Sequence, residues 1–176
     1  MITFKKYGPL ISDILFISTA LILSYLYSGH NIFVNTISQL VYYINGFHRI
    51  IFDLVFVIKM IIDLLFTSYV FKKYKIKYNS LLSFFWIGSL LSFGLLSIFS
   101  SDRIWSIHFS LALIMSLFWL IAQILFAIYI NYKHFKIFTY ILVFLQFTTF
   151  YFTLMTKNIN TISEIILSLI ALIWII

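Results

Sequence analysis

Five ionisable side chains lie within one otherwise apolar stretch of the chain, and their types and spacing could support chemistry inside a membrane. They are His48, Arg49, Asp53, Lys59 and Asp63. Acids and bases within an apolar helix can form ion pairs, and they can also mark a path for protons or cations. Lys59 and Asp63 are four residues apart, which makes them neighbours on a helix and predicts an ion pair between them.

The predicted Lys59–Asp63 pair has two interpretations. In the first, the pair is structural and fixes which face of the helix points inward. In the second, it belongs to a relay for protons or cations that also includes Asp13 or Asp53. A small proton- or ion-coupled transporter that uses Asp53, Lys59 and Asp63 is therefore one candidate function.

The placement of these residues on a helix predicts which way the helix faces. With about 100° between successive residues, all five ionisable side chains fall on one side, about 140° wide. The opposite side is apolar. A charge facing lipid at mid-membrane costs about 2.5–3.5 kcal/mol on insertion scales. We therefore expect the charged side to face other helices or a water-filled cavity.

A second set of polar residues is predicted to gather on the outer side of the membrane, where it could bind a ligand or ion. Its further candidate residues are Asn35, Ser38, Asp102, His108 and Glu164. If the helices bring these side chains together, their types also allow general acid–base catalysis or a metal site. A plainer explanation is that they are solvated or make structural contacts, and that Asp102 only caps a helix.

No catalytic motif accompanies this outer set. The sequence contains no HExxH, Gly-x-Ser-x-Gly or glycine-rich phosphate loop. A membrane-embedded hydrolase built on His108, Glu164 and Asp102 remains a further alternative, and the sequence predicts neither a metal nor a cofactor. His108 and Gln123 share a face of one predicted helix, where we expect them to make hydrogen bonds between helices.

The composition predicts a membrane protein. The chain is 63% hydrophobic and 10% charged, whereas soluble domains carry about 25% charged residues. The absence of cysteine excludes disulfides and thiol catalysis. A net charge of +7 would indicate nucleic acid as a partner of a soluble protein. Here the lysines lie in short loops beside apolar segments, so we expect membrane lipid, and possible membrane-protein partner subunits, but no nucleic acid.

Six apolar segments predict an all-α, polytopic integral membrane protein, in which a single bundle of six transmembrane helices forms one domain. The predicted spans are 8–28, 46–71, 79–100, 104–131, 138–155 and 162–176. Residues 29–44 form the one sizeable loop, and their mixture of polar and apolar side chains predicts a short amphipathic helix at the membrane interface.

The distribution of basic residues predicts the orientation of the bundle. Of the 12 lysines and arginines, eight fall on one side of the predicted spans and three on the other, while Lys59 lies within a span. Cytoplasmic loops carry an excess of Lys and Arg. We therefore expect both termini in the cytoplasm, the polar set outside, and the protein in the cell membrane.

Several short motifs resemble the domain-of-unknown-function 998 family of six-span prokaryotic membrane proteins, which is grouped with damage-regulated autophagy modulator-type proteins. The motifs are NTISQL at 35–40, IGSLL at 87–91, LSIF at 96–99, IHF at 107–109 and TISEII at 161–166, followed by Trp174. The resemblance implies a six-span architecture, and Asn35, Ser38, His108 and Glu164 match the family pattern.

This chain also departs from the family pattern at several positions. Gln39 stands where the family usually has an acid, Val41 where it has a glycine, and Ser163 where it has a proline. The resemblance implies no established activity. Our leading expectation is therefore a non-enzymatic, multi-pass membrane protein whose outward polar set and inward-facing charged helix contact lipid, a small ligand or a protein partner.

Overall fold

The structure is a computed structural model that describes residues 2–156 and 160–175, and within these residues every regular element is helical. The all-α prediction is confirmed. The six α-helices are α1 (Ile2–Leu26), α2 (Gly46–Tyr74), α3 (Leu81–Ile98), α4 (Trp105–Ile130), α5 (Lys133–Thr156) and α6 (Thr161–Ile175). A 3₁₀ helix (Ile37–Tyr42) lies between α1 and α2.

Four of the described helical segments are long and apolar enough to cross a membrane, which supports a helical membrane protein. They are Tyr7–Leu26, Leu81–Ile98, Trp105–Ile130 and Lys133–Phe152. Helix α2 has 29 residues and α6 has 15. At 1.5 Å per residue these helices are about 43 Å and about 22 Å long.

The helices do not end where the predicted spans end. Helix α1 begins at Ile2, α2 continues to Tyr74, and α5 begins at Lys133. These extensions contain lysines, which are good helix formers although they are polar. The apolar residues indicate which part of each helix is suited to contact hydrocarbon, and the helix itself continues beyond that part into the polar turn. The predicted link at Lys157 and Asn158 lies outside the described residues.

The helices pack in chain order around a ring. Each of α1 to α5 packs against the next helix, and α6 packs against α1. One apolar cluster, which includes Phe16, Phe52 and Phe56, joins α1 and α2 to the 3₁₀ helix. A second cluster, around Trp86 and Trp174, joins α3 to α6. A closed ring leaves a central space that side chains from every helix can reach.

The connections divide the bundle into two ends of different chemistry. At the end that we call the basic end, Tyr129 donates a hydrogen bond to the carbonyl of Tyr74, where α2 turns into α3. Lys75 ends α2 there in a left-handed conformation, with φ 55°. At the other end, which we call the polar end, residues 27–45, the turn at 99–104 and the start of α6 meet. For example, Ser101 donates to the carbonyl of Ser38 at 2.8 Å.

The predicted short helix between α1 and α2 exists as a 3₁₀ helix, and its apolar side chains pack into the protein. Thr36 caps its start, and Gln39 completes a capping box. The apolar residues Ile37, Leu40 and Val41 are buried within the protein core. Burial of these side chains against α1 and α2 removes them from lipid and water. The position of the segment at the membrane interface stays a prediction.

Candidate functional site

At the polar end, the start of α6 is fastened to the loop between α1 and α2. The carboxylate oxygen Oε2 of Glu164 accepts a hydrogen bond of 2.5 Å from the backbone N–H of Ile37. The carbonyl of Asn35 accepts two more, from the N–H of Thr161 at 2.7 Å and from its hydroxyl at 2.8 Å. These contacts bring Asn35 and Glu164 together as part of one structural junction.

Arg49 is the centre of a second junction at the polar end. Its guanidinium donates to both carboxylate oxygens of Asp102, at 3.0 and 3.1 Å, and to the carboxylate of Asp53 at 3.1 Å. It also donates to the hydroxyl of Ser100 at 2.7 Å and to the carbonyl of Val41 at 3.1 Å. One side chain therefore ties α2 to the turn between α3 and α4.

This junction changes the acidity of Asp102. Partial burial alone would raise the pKa of the carboxyl group, but hydrogen bonds from Arg49 and Ser100 and the positive charge of Arg49 outweigh that effect. The pKa of Asp102 is therefore lowered below its usual value. A carboxylate held in this form by a bidentate arginine serves as an acceptor, not as a general acid.

The remaining candidates at the polar end make hydrogen bonds within that end of the bundle. His48 lies with its Nδ1 atom 2.7 Å from the hydroxyl of Tyr27. The hydroxyl of Ser38 lies 2.9 Å from that of Thr36. The Nδ1 atom of His108 lies 2.9 Å from the carbonyl of Phe99. We expected a hydrogen bond from His108 to another helix, and the structure gives it a partner in the turn between α3 and α4.

Deeper in the bundle, Lys59 bridges two carboxylates on two helices. Its Nζ atom lies 2.8 Å from Oδ2 of Asp63, as the spacing predicts, and 2.5 Å from Oδ1 of Asp13 on α1. Ser12 donates from its hydroxyl to the other oxygen of Asp63 at 2.7 Å. We call Asp13, Lys59 and Asp63 the ion trio. The charged side of α2 faces α1 here, as its helical placement predicts.

A cavity of about 320 Å³ occupies the centre of the ring, and residues from all six helices and the 3₁₀ helix line it. The ion trio forms part of its wall, and so do Ser38, His108 and Glu164 from the polar end. The cavity therefore connects the two groups of polar residues that the sequence singled out. Most of the wall between them is apolar and aromatic.

Two polar groups in the cavity wall have no hydrogen-bond partner within the part of the chain that the structure describes. They are the side-chain amide of Gln146, both ends of which are unpaired, and the indole N–H of Trp119. Gln146 is only 4% exposed. Sequence reasoning did not single out either residue. The one available signal was an amide in the apolar α5, and buried polar groups normally require partners.

The structure does not bring together all the residues that the sequence proposed. Asp53 pairs with Arg49 and lies outside the ion trio, and Asp102 does not line the cavity that His108 and Glu164 share. Of the three residues of the hydrolase alternative, two share the cavity wall and the third belongs to the Arg49 junction. Gln123 is fully buried, and its amide has no partner among the described residues, although we expected a hydrogen bond between helices.

No family model, curated protein or solved structure matches this chain. The chemistry of the site therefore has to be read from its own geometry. In the described ranges, 2–156 and 160–175, no three His, Cys, Asp or Glu side chains are close enough together to hold a metal ion. The arrangement can enclose an apolar molecule in the cavity. It can also offer that molecule hydrogen-bond acceptors at two places, the ion trio and the polar end.

Proposed function

We propose that this protein is a non-enzymatic, multi-pass membrane protein that binds a small, largely apolar ligand in its central cavity. The main observation is the cavity itself, which every helix of the ring helps to line. Its wall contains the amide of Gln146, which has no hydrogen-bond partner among the described residues. Ligand sites are typically concave and mostly apolar, with a few polar groups that fix orientation. The ion trio and Glu164 supply such groups.

We also propose that all six helices cross the cell membrane, with the polar end outside and both termini in the cytoplasm. Helix α2 supports its own membrane crossing, because it exposes an apolar stripe on the side opposite its charges, and the excess of Lys and Arg at the basic end supports the orientation. The stripe consists of Ile50, Leu54, Ile58, Ile61 and Leu65. Membrane lipid would cover it. A terminal tag that reacts with an impermeant antibody on intact cells would contradict this topology.

Membership of the domain-of-unknown-function 998 family is part of the same proposal. Two of the motifs that carry the resemblance, at 35–40 and 161–166, contact each other through Ile37 and Glu164. A shared junction gives a physical reason for both motifs to occur in one chain.

Native mass spectrometry of the purified protein tests ligand binding, because it reports small molecules that remain bound after purification. In the Ala171→Phe variant, a phenyl ring enters the cavity from the wall of α6. The matched control is Leu169→Phe, two residues away on the exposed face of the same helix. We expect wild type and the control to carry a bound molecule and Ala171→Phe to lose it. Equal occupancy in all three proteins would contradict the proposal.

A second candidate function, proton- or ion-coupled transport, is favoured by one observation: the cavity reaches the ion trio. A site for coupled exchange requires ionisable groups that a solute can approach. Lys59 pairs with Asp13 as well as with Asp63, whereas Asp53 pairs with Arg49, so Asp13 is the stronger of the two further residues that the sequence offered for a relay. Reconstitution in liposomes that contain a pH-sensitive dye tests this function. We expect ligand to drive a proton flux in liposomes that contain wild type and not in those that contain Ala171→Phe. Ligand binding without proton flux in wild type would contradict transport and leave the ligand-binding proposal unchanged.

A further inference from the structure

We infer that the ligand of the central cavity is an organic cation, namely a substituted ammonium group carried on an apolar body. The inference rests on the proposed function and names the class of molecule that the cavity would select. It follows from the charges, rings and unpaired groups of the cavity wall.

Acidic side chains outnumber basic ones in the cavity wall. Three carboxylates line the cavity, those of Asp13, Asp63 and Glu164, and Lys59 is the one Lys or Arg among the described lining residues. Lys59 is already bound to two of the carboxylates. An excess of buried negative charge in an apolar setting is costly unless protons or cations compensate it. A cationic ligand would provide that compensation, whereas an anionic ligand would add to the excess.

The aromatic rings of the wall favour an organic cation over a small hydrated ion. Phe93, Trp105 and Trp119 are among the aromatic residues that line the cavity. The face of an aromatic ring attracts a cation within about 6 Å, and substituted ammonium groups are typical ligands of such rings. The wall already contains one such contact, because the Nζ atom of Lys59 lies 5.6 Å from the centre of the Phe93 ring.

Gln146 provides an independent indication that a ligand with a polar group belongs here. Its side chain is 4% exposed and lines the cavity, and neither its oxygen nor its nitrogen has a partner in the described part of the chain. Leaving such a group unpaired costs about 1–3 kcal/mol. The amide oxygen can accept a hydrogen bond from an ammonium N–H or lie against a quaternary ammonium group.

Three probes of similar size separate charge from shape. Phenyltrimethylammonium is a cation, tert-butylbenzene is its uncharged isostere, and benzenesulfonate is an anion. Binding is measured on the full chain in lipid nanodiscs by the fluorescence of its tryptophans, of which Trp86, Trp105 and Trp119 line the cavity. We expect the cation to bind about ten-fold more tightly than either of the other probes.

The Glu164→Gln variant tests the carboxylate while keeping an oxygen that can accept the Ile37 hydrogen bond. We expect it to lower the affinity for phenyltrimethylammonium about ten-fold and to leave the affinity for tert-butylbenzene unchanged, which also shows that the cavity is intact. If tert-butylbenzene or benzenesulfonate binds wild type as tightly as the cation, the inference is overturned and the ligand-binding proposal stands. If none of the three probes binds, the inference fails, and the native mass spectrometry of wild type and Ala171→Phe decides the ligand-binding proposal by itself.

Discussion

The backbone N–H of Ile37 donates a 2.5 Å hydrogen bond to the carboxylate of Glu164, which lies 127 positions further along the chain. The bond joins the 3₁₀ helix to the start of α6 and so helps to close the ring at the polar end. It also holds one carboxylate in the wall of the central cavity. Fold and candidate site therefore depend on the same contact.

Thr161 tests how strongly this junction holds the loop. Its hydroxyl donates to the carbonyl of Asn35 at 2.8 Å, and Thr161→Val removes that donor while keeping the shape. We expect Thr161→Val to lower the free energy of unfolding by about 0.5–1.5 kcal/mol. We also expect faster amide hydrogen exchange in residues 35–42. Thr161→Ser keeps the hydroxyl and should exchange like wild type. Unchanged exchange in Thr161→Val would show that the hydroxyl does not hold the loop.

Asp102 gives the polar end a pH dependence of known sign. Its pKa is lowered in the folded protein because Arg49 and Ser100 stabilise the carboxylate against the cost of burial. The resulting stability is present above the unfolded pKa of about 3.9 and is lost as the pH falls through the folded value.

Thermal denaturation of wild type and Asp102→Asn between pH 6 and pH 3 measures this effect. We expect wild type to be the more stable protein at pH 6, and the difference to shrink below about pH 4. A constant difference across that range would show that Asp102 protonation does not govern the junction.

Removing one member of the ion trio should destabilise the protein strongly, whereas replacing all three members with apolar residues should destabilise it much less. Lys59→Met leaves two buried carboxylates without their cation. Breaking a buried ion pair in this way lowers the free energy of unfolding by about 3–5 kcal/mol, which denaturant titration of the variant would measure. Replacing Asp13, Lys59 and Asp63 together with apolar residues removes all three charges, so most of the lost stability should return.

Ligand binding distinguishes a structural trio from a functional one. In the folded triple variant we expect weaker binding of phenyltrimethylammonium and unchanged binding of tert-butylbenzene, because the replacement removes negative charge from the cavity wall. Wild-type affinity for both probes would show that the trio only holds α1 against α2.

Two buried glutamines form a matched pair that separates packing from binding. Neither Gln123 nor Gln146 has a hydrogen-bond partner for its amide in the part of the chain that the structure describes, and of the two only Gln146 lines the cavity. Replacing either with Leu removes an unpaired polar group, so each variant should be more stable without ligand by about 1–3 kcal/mol. Only Gln146→Leu should weaken cation binding in the fluorescence titration. Equal effects of both substitutions on binding would contradict a role for Gln146 in the cavity.

Contacts within one helix could be predicted from the sequence. The pairing of Lys59 with Asp63, and of Arg49 with Asp53, follows from a spacing of four residues. The inward direction of these side chains follows from the cost of placing charge in lipid. The all-helical fold follows from the long apolar segments.

Contacts between helices could not be predicted in the same way. Asp13 joins Lys59 because α1 packs beside α2 in a register that no local pattern encodes. The partner of Glu164 is a backbone N–H, which every residue except proline offers, so the sequence carries no signal for it. Gln146 became a candidate only because the structure places it in a cavity wall with no hydrogen-bond partner among residues 2–156 and 160–175.

Thiol labelling tests most directly whether the ring encloses a cavity that solutes can enter. The chain contains no cysteine, so Ser168→Cys on the cavity wall can be compared with Leu169→Cys on the exposed face of the same helix. A small cationic methanethiosulfonate is added to intact cells, where a thiol surrounded by lipid ionises poorly and reacts slowly. We predict that Ser168→Cys is labelled rapidly, that phenyltrimethylammonium protects it, and that Leu169→Cys reacts slowly with or without the ligand. Labelling of Ser168→Cys that is no faster than that of Leu169→Cys would contradict the existence of an accessible cavity.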